Sequence, residues 1–221
     1  MNDVKDFTTV RIVFSKTGRA RYISHLDLNR TMTRAVRRAG LPIWYTEGFN
    51  KHPYLTFAAP LSLGFEGERE TMDLRLEQEM PMDELVARLD AVMPEGLSIR
   101  DAAPAVKKAG EVDRAVYRLT LSCTPTAVEA LLSQESIPVQ KRTKKKEWIT
   151  VELKPVLDAS QGIVCACAEG TQWELTLPIN SELSVNPSLI VAALREQQGL
   201  PTLSATVRRL CVLAKDGAEF A

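Results

Sequence analysis

Residues 8–40 read TTVRIVFSKTGRARYISHLDLNRTMTRAVRRAG, and this stretch decides the fold of the first half of the chain. Its opening, Thr8 to Phe14, alternates and is rich in β-branched residues, which predicts a strand. Ser24 followed by Asp27 predicts the start of a helix, and Gly40 predicts its end. Between these signals the apolar residues recur at helical spacing. They form a stripe that we expect to face the core: Leu28, Met32, Ala35, Val36 and Ala39.

The elements that follow the helix complete a recognisable order. We predict a second strand over Leu41 to Tyr45 and a turn-rich segment after it. A broken strand pair is predicted at residues 54–63 and 71–76, then a helix over 82–93 and a strand over 97–102. This order is that of the split βαβ, or ferredoxin-like, unit. The sequence therefore predicts a ferredoxin-like half over residues 1–105.

A small, polar and proline-containing segment, residues 103–113, is predicted to be a linker, and a similar order of elements follows it. A strand over 116–123 precedes a helix that Thr124 caps and Pro125 opens. Four strands are expected next, at 137–140, 148–153, 163–168 and 173–177, the last three as a meander. A helix beginning at Asn186-Pro187 and a strand over 203–213 complete the half, residues 114–221. The predicted fold class is α+β, with two tandem ferredoxin-like halves built on antiparallel sheets.

Composition narrows the class of protein. Lysine and arginine number 28, aspartate and glutamate also number 28, so overall charge indicates no particular partner. No apolar run approaches the roughly 18 residues of a membrane helix, and the first ten residues lack a signal-type apolar stretch, so a cytoplasmic location is expected. The four cysteines lack the spacing of a zinc knuckle or an iron–sulfur motif, and no metal or cofactor is predicted. Cys165 and Cys167 are expected on one face of a buried strand.

Two motif-dense segments resemble a known bacterial family. The first reads YISHLDL at residues 22–28 and continues with RAVRRAGLP at 34–42. The second reads YTEGFNKHP at 45–53, with APLSLG at 59–64. Over roughly the first 80 residues the chain resembles the radical-SAM-linked bacterial proteins, a domain of unknown function associated with radical SAM proteins, although Lys51 replaces the proline of the family pattern. The resemblance implies a bacterial accessory protein near RNA and translation functions, with a radical SAM protein as its partner.

The first helix presents a row of basic residues opposite its apolar stripe: Arg30, Arg34, Arg37 and Arg38. Four further basic residues lie nearby in sequence: Arg11, Lys16, Arg19 and Arg21. Guanidinium groups match phosphate geometry, so this face is a candidate for RNA phosphates, tRNA or rRNA. The alternative is an ordinary solvated face balanced by an acidic run in the same half: Glu66, Glu68, Glu70 and Asp73.

Two further segments suggest RNA binding. Phe49, Asn50 and His52 lie in a turn flanked by aromatic residues, and aromatics beside arginines can stack bases. A basic run joins two predicted strands as a hairpin tip and could follow a nucleic-acid backbone: Lys141, Arg142, Lys144, Lys145 and Lys146. The alternatives are core packing for the aromatics and an ordinary solvated loop for the lysines.

These observations lead to three hypotheses about function. The first is an RNA-binding accessory or specificity protein that acts with a separate radical SAM or RNA-processing enzyme. The second is a small enzyme or metal site that uses His25, Asp27 and His52, since the chain has only two histidines and both lie in the motif-dense segments. The alternative to this second hypothesis is that His25 contributes to capping in the first turn of the helix and that His52 stabilises its loop. The third hypothesis is a protein-only scaffold that docks a radical SAM partner.

Overall fold

The computed structural model describes residues 7–142, 146–160 and 162–221, and in it the chain divides into two units. The first unit holds the described residues up to Val112 together with Cys211–Ala221. The second unit is Asp113–Leu210. Five α-helices and mostly antiparallel strands make up the part that the structure describes, so the chain is an α+β protein.

The first unit lacks the strand predicted at residues 41–45, and its other elements follow in the predicted order. Its elements are β1 (Thr8–Lys16), α1 (His25–Arg38), β2 (Leu55–Thr56), β3 (Glu66–Leu76), α2 (Met82–Asp90) and β4 (Leu97–Pro104). Strand β1 lies between β4 and β3 and pairs antiparallel with both. Strand β2 pairs antiparallel with β3.

One face of this sheet is covered by the two helices. Alternate residues of β1 point to that face, and Val10, Ile12 and Phe14 are all buried there. The stripe of α1 packs on them as predicted, since all five of its apolar residues are buried. Leu85 and Leu89 of α2 are fully buried in the same cluster. This packing explains why the opposite side of α1 is exposed.

The other face of the sheet buries a charged residue. Arg11 is 0% exposed, and its Nε and Nη2 atoms donate to the carboxylate of Asp73 at 2.7 and 2.9 Å. Nη2 also donates to the carbonyl oxygen of Lys107 at 2.7 Å, and the ring of Phe220 lies 3.7 Å from the guanidinium carbon. Arg11 therefore joins β1, β3, the segment after β4 and the C-terminal residues of the unit.

The second unit contains the elements that follow Val112. They are β5 (Val112–Leu121), α3 (Pro125–Leu132), β6 (Pro138–Arg142), β7 (Trp148–Glu152), α4 (Lys154–Ala159), β8 (Ile163–Cys167), β9 (Gly170–Pro178), α5 (Pro187–Gln197) and β10 (Ala205–Ala214). The sheet order is β10-β5-β9-β8, and β6 and β7 form a separate two-stranded sheet. Strand β10 crosses the unit boundary, since its last residues belong to the first unit.

The structure corrects several sequence predictions. Residues 41–45 are not a strand, and among them Ile43 and Tyr45 form isolated bridges. Pro42 has no N–H to donate to the ladder, and the β3 position that would face Tyr45, Leu74, pairs with Leu55 of β2. The predicted linker is partly ordered in strands, because β4 extends to Pro104 and β5 begins at Val112. The predicted three-strand meander contains a helix, α4, and within the described ranges its first strand, β7, pairs with β6 and not with β8.

The prediction that Cys165 and Cys167 lie in a buried strand is also wrong. Strand β8 pairs with β9 and lies at the edge of the sheet, with no second neighbouring strand in the part of the chain that the structure describes. Cys165 is consequently exposed and Cys167 half-buried. Ile163 on the same strand is 69% exposed. Composition alone could not separate an edge strand from a buried one.

No α-helix among the described residues is long and apolar enough to span a membrane.

Replacing Asp73 by Asn should destabilise the first unit by about 3 kcal/mol, because the buried Arg11 guanidinium would lose its one carboxylate partner among the described residues. Urea unfolding monitored by circular dichroism measures this. Glu84→Gln is the control, since it breaks an exposed helical ion pair with Arg88 and should cost no more than about 0.5 kcal/mol. Equal stability of the two variants would contradict the assigned role of Arg11.

Candidate nucleic-acid interface

Helix α1 is fixed at both ends by specific hydrogen bonds. The Ser24 hydroxyl accepts from the backbone N–H of Asp27 at 3.1 Å and donates to the Asp27 carboxylate at 2.7 Å. After the helix, Gly40 adopts a φ of +61°, which closes the last turn. Arg88 of α2 donates to the carbonyl oxygen of Ala39 through Nε and Nη2, at 3.1 and 2.8 Å. The orientation of α1 is therefore set, and so is the direction of its exposed side.

The exposed side of α1 presents four arginines. At 100° per residue, Arg30, Arg34 and Arg37 fall within a sector of about 60°, and Arg38 lies about 40° beyond the edge of that sector. All four are exposed. From Arg30 to Arg38 the row extends about 12 Å along the helix axis. The predicted basic face is thus a continuous surface in the structure.

Few internal groups neutralise these arginines. Arg30 pairs with Asp27 at 3.2 Å, an exposed i,i+3 pair, and Arg38 donates to the carbonyl oxygen of Val92 at 2.7 Å. Arg34 has no ion-pair partner among the described residues. Arg37 has none either, and its guanidinium lies 5.8 Å from the centre of the Tyr45 ring. The face therefore keeps most of its positive charge.

The acidic run does not balance this face. Asp73 is bound to Arg11, and Glu66 accepts from the backbone N–H of Gly18 at 3.0 Å and lies 4.0 Å from Arg21. Within the part of the chain that the structure describes, no residue of the run pairs with an arginine of α1. Two of the other basic residues are also unavailable, since Arg11 and Lys16 are buried.

A closed loop lies beside the C-terminal end of α1. Tyr45 and Pro53 form a bridge, and the backbone N–H of Thr46 donates to the carbonyl oxygen of His52 at 2.9 Å. The His52 Nδ1 atom lies 3.1 Å from the Thr46 hydroxyl and 3.0 Å from the carbonyl oxygen of Asn50. Phe49, at the tip, is fully exposed. The loop thus holds an aromatic ring in solvent on an internally bonded frame.

An aromatic stack attaches this loop to the sheet. The Arg75 guanidinium of β3 lies 3.9 Å from the ring centre of Phe7, 3.8 Å from that of Tyr54 and 5.1 Å from that of Trp44. Trp44 is half-buried in this stack, whereas its neighbour Tyr45 is 38% exposed. Adjacent residues of an extended segment point to opposite sides, so Tyr45 faces Arg37 instead of the stack.

The candidate catalytic residues His25, Asp27 and His52 each contact different groups in the structure. His25 is the first residue of α1, and its ring packs edge-on against Phe57 at 5.1 Å. His52 belongs to the loop frame. The pKa of Asp27 is lowered by the Ser24 hydrogen bond first and by Arg30 second, so its carboxylate is already engaged. No group of three His, Cys, Asp or Glu residues among the described part of the chain could hold a metal.

The predicted basic hairpin tip lies in the second unit. Lys141 and Arg142 end β6, and Lys146 follows with a φ of +67°. Lys144 and Lys145 lie outside the described residues. Sequence reasoning did not single out Trp148, which opens β7 and is 66% exposed. The available signal was a tryptophan at the start of a predicted strand, separated by one residue from the end of a basic run.

The described residues thus define an α+β protein whose first helix exposes an arginine face. The family model of uncharacterised proteins conserved in bacteria, DUF2344, matches residues 9–187, and the chain belongs to this family. No curated protein matches the chain. Among solved structures, the crystal structure of an unknown protein from Galdieria sulphuraria is 11% identical. The alignment covers 93% of this chain and 99% of that one, with a TM-score of 0.27.

Replacing Ser24 by Ala should raise the pKa of Asp27 towards its ordinary value of 3.8, because the Ser24 hydrogen bond is the main cause of the lowering. Any contribution of this carboxylate to stability is present above that ordinary value and is lost as the pH falls through the lowered one. Carboxyl-carbon NMR titration measures the change. The lowered pKa of Glu152, caused mainly by Ser136, is the internal control and should not move.

Proposed function

We propose that this chain is an RNA-binding accessory protein that acts with a separate radical SAM or RNA-processing enzyme. The observation that carries the proposal is the exposed arginine face of α1, on which Arg34 and Arg37 have no carboxylate partner among the described residues. Unpaired, exposed guanidinium groups at helical spacing can each contact a phosphate without first breaking an internal ion pair.

The neighbouring loop supplies contacts other than charge. Tyr45 borders the arginine row through Arg37, and the loop then leads to Phe49 and Asn50. An exposed aromatic ring can stack on an unpaired base, and an amide side chain can hydrogen-bond to a base edge. In this proposal α1 holds the backbone, while Phe49, Asn50 and His52 contact a base or the partner enzyme. The Thr46 and Asn50 contacts of His52 support a positioning role for that ring.

The fold proposal is that both units are ferredoxin-like repeats. In the first unit the order β4-β1-β3, with β2 on β3, supports it. In the second unit the order β10-β5-β9-β8 is the same if the segment from β6 to α4 is an insertion. The repeated order of a split βαβ unit is the reason for the assignment. On this view the second repeat differs from the first mainly by an added hairpin.

The proposed partner is a radical SAM protein. The resemblance of residues 22–64 to radical-SAM-linked proteins motivates it. An apolar surface near the start of α1 supports docking: Tyr22, Leu26 and Leu63 are 63%, 59% and 64% exposed. A hydrogen bond from the Gly64 N–H to the carbonyl oxygen of Arg21, 2.9 Å long, holds the segments of Tyr22 and Leu63 together. Exposed apolar residues on adjoining segments motivate an interaction site here.

Charge reversal on α1 tests RNA binding. Arg34→Glu with Arg37→Glu should weaken binding to total tRNA severalfold or more. It should also flatten the slope of log affinity against log salt by about 1.5 to 2, the value for two lost phosphate contacts. Fluorescence anisotropy at three salt concentrations measures both quantities. Arg100→Glu with Lys215→Glu is the control, because it makes the same charge change at two exposed residues away from α1.

Equal loss of affinity in both variants would attribute binding to net charge and overturn the α1 assignment. If the wild-type protein does not bind tRNA or rRNA fragments at physiological salt, the RNA proposal fails. Circular dichroism should show folded protein in each case, since exposed substitutions shift stability by only about 0.5 kcal/mol.

Partner docking has its own test. Leu26→Arg with Leu63→Arg should abolish co-purification with the radical SAM protein encoded in the same cell, because charge would be placed in the apolar surface. RNA affinity in the anisotropy assay should stay within twofold of wild type. Val106→Arg, at a residue that is 87% exposed on another segment, is the matched control. Unchanged co-purification of the double variant would reject this surface as the docking site.

A further inference from the structure

The β6–β7 hairpin of the second unit has one packed face and one open face. Val139 is 2% exposed and pairs with Val151, and helix α5 packs against β6. The Gln197 amide donates to the carbonyl oxygen of Pro138 at 2.8 Å, which ties the hairpin to α5. Residues of opposite parity must therefore point away from the unit.

Trp148 lies on the open face together with polar and basic neighbours. It pairs directly across the hairpin with Arg142, so their side chains share that face. The next pair on the same face is Gln140 with Thr150, joined by a hydrogen bond of 3.1 Å. All four residues are exposed. A large aromatic ring is thus held in solvent beside a guanidinium and an amide.

The charge at this face is mainly positive. Arg142 and Lys146 have no ion-pair partner within the described ranges, and both are exposed. The Glu152 carboxylate is occupied, since it accepts from the backbone N–H groups of Ile137 and Lys154 and from the Ser136 hydroxyl. Glu147 also has a partner of its own. The charge therefore favours an anionic ligand over a basic or neutral one, and the exposed Trp148 ring favours a ligand that also offers a flat base to stack on.

We infer that the open face of the β6–β7 hairpin binds single-stranded RNA, with one base stacked on Trp148 and the flanking phosphates held by Arg142 and Lys146. The Gln140 amide lies on the same face for a hydrogen bond to a base edge. Stacking needs an unpaired base, whereas a duplex presents only its backbone to a flat hairpin. This inference rests on the proposed RNA-binding function and adds a second site with a defined strand preference.

Tryptophan fluorescence reports on this site directly. Of the three tryptophans, Trp173 is 1% exposed and Trp44 lies in the Arg75 stack, so Trp148 is the accessible one. A single-stranded RNA 12-mer of mixed sequence should quench the wild-type emission, and the same 12-mer annealed to its complement should quench it much less. The quenching should be absent in Trp148→Phe, which removes the reporter.

Affinity is measured separately by anisotropy with the labelled 12-mer. Trp148→Ala should reduce affinity about 5- to 150-fold, the range found for loss of one stacked base. Trp148→Phe should restore most of it, because phenylalanine also stacks. Ile163→Ala, which truncates another exposed apolar residue of the same unit, is the matched control and should bind as the wild type does.

The outcomes separate this inference from the proposed function. Wild-type affinity in Trp148→Ala together with a loss in the α1 double variant overturns the hairpin site and leaves the proposed function standing. The reverse pattern supports the hairpin site and removes α1 from RNA binding. Equal quenching by duplex and single strand overturns the strand preference. Loss of a protein partner with unchanged RNA affinity overturns the inference in favour of protein docking, and no RNA binding at all overturns both.

Discussion

The first unit depends on the buried contact between Arg11 and Asp73. A guanidinium with no exposed surface requires its charge to be matched, and Asp73, the Lys107 carbonyl and the Phe220 ring together do so. Because these groups come from β3, from the segment after β4 and from the C-terminal residues, one side chain fixes the mutual placement of segments far apart in sequence. Strand β1 is consequently buried on both faces. Only one of those faces is left for α1 and α2, and their apolar stripes must turn towards it.

That constraint explains how a chain with no net charge presents a basic surface. The carboxylates at Asp73 and Glu66 are used inside the unit, by Arg11 and by Arg21 with the Gly18 N–H. On the solvent side of α1, Arg30 has only the exposed Asp27 as an ion-pair partner, and Arg34 and Arg37 have no carboxylate partner among the described residues. The positive potential at α1 therefore arises because carboxylates are used inside the unit while arginines remain on its surface. It does not require an excess of basic residues in the chain. The loop from Tyr45 to Pro53 adds aromatic surface beside it, and the Arg75 stack keeps that loop attached to β3.

If the arginine face of α1 and the open face of the β6–β7 hairpin both bind RNA as proposed, they would act together through effective concentration. If a single RNA reaches both, the second contact becomes intramolecular, and modest individual affinities give a much tighter complex. The surfaces differ in chemistry: α1 offers a row of guanidinium groups, whereas the hairpin offers one tryptophan with two flanking cations. The arginine row of α1 suits the phosphate backbone of an RNA, and the tryptophan of the hairpin suits an unpaired base. Such a division would let an accessory protein hold a structured RNA while it positions a single-stranded segment for a partner enzyme.

The sequence by itself determined the local elements. Periodicity and capping located α1, α2 and α5 and most strands, and the arginine row of α1 followed from the same 3.6-residue period. The predictions from sequence were wrong where strand pairing or burial depends on residues that are distant in the chain. Residues 41–45 alternate like a strand yet form only two bridges, and the cysteines of β8 are exposed because that strand is at an edge. The burial of Arg11 and the exposure of Trp148 were decided by tertiary structure alone. Arg11 is buried because Asp73, 62 positions away in the sequence, supplies a carboxylate for it. Trp148 is exposed because, among the described residues, no other element covers its face of the hairpin. Neither the burial of Arg11 nor the exposure of Trp148 can be predicted from the residues next to it in the sequence.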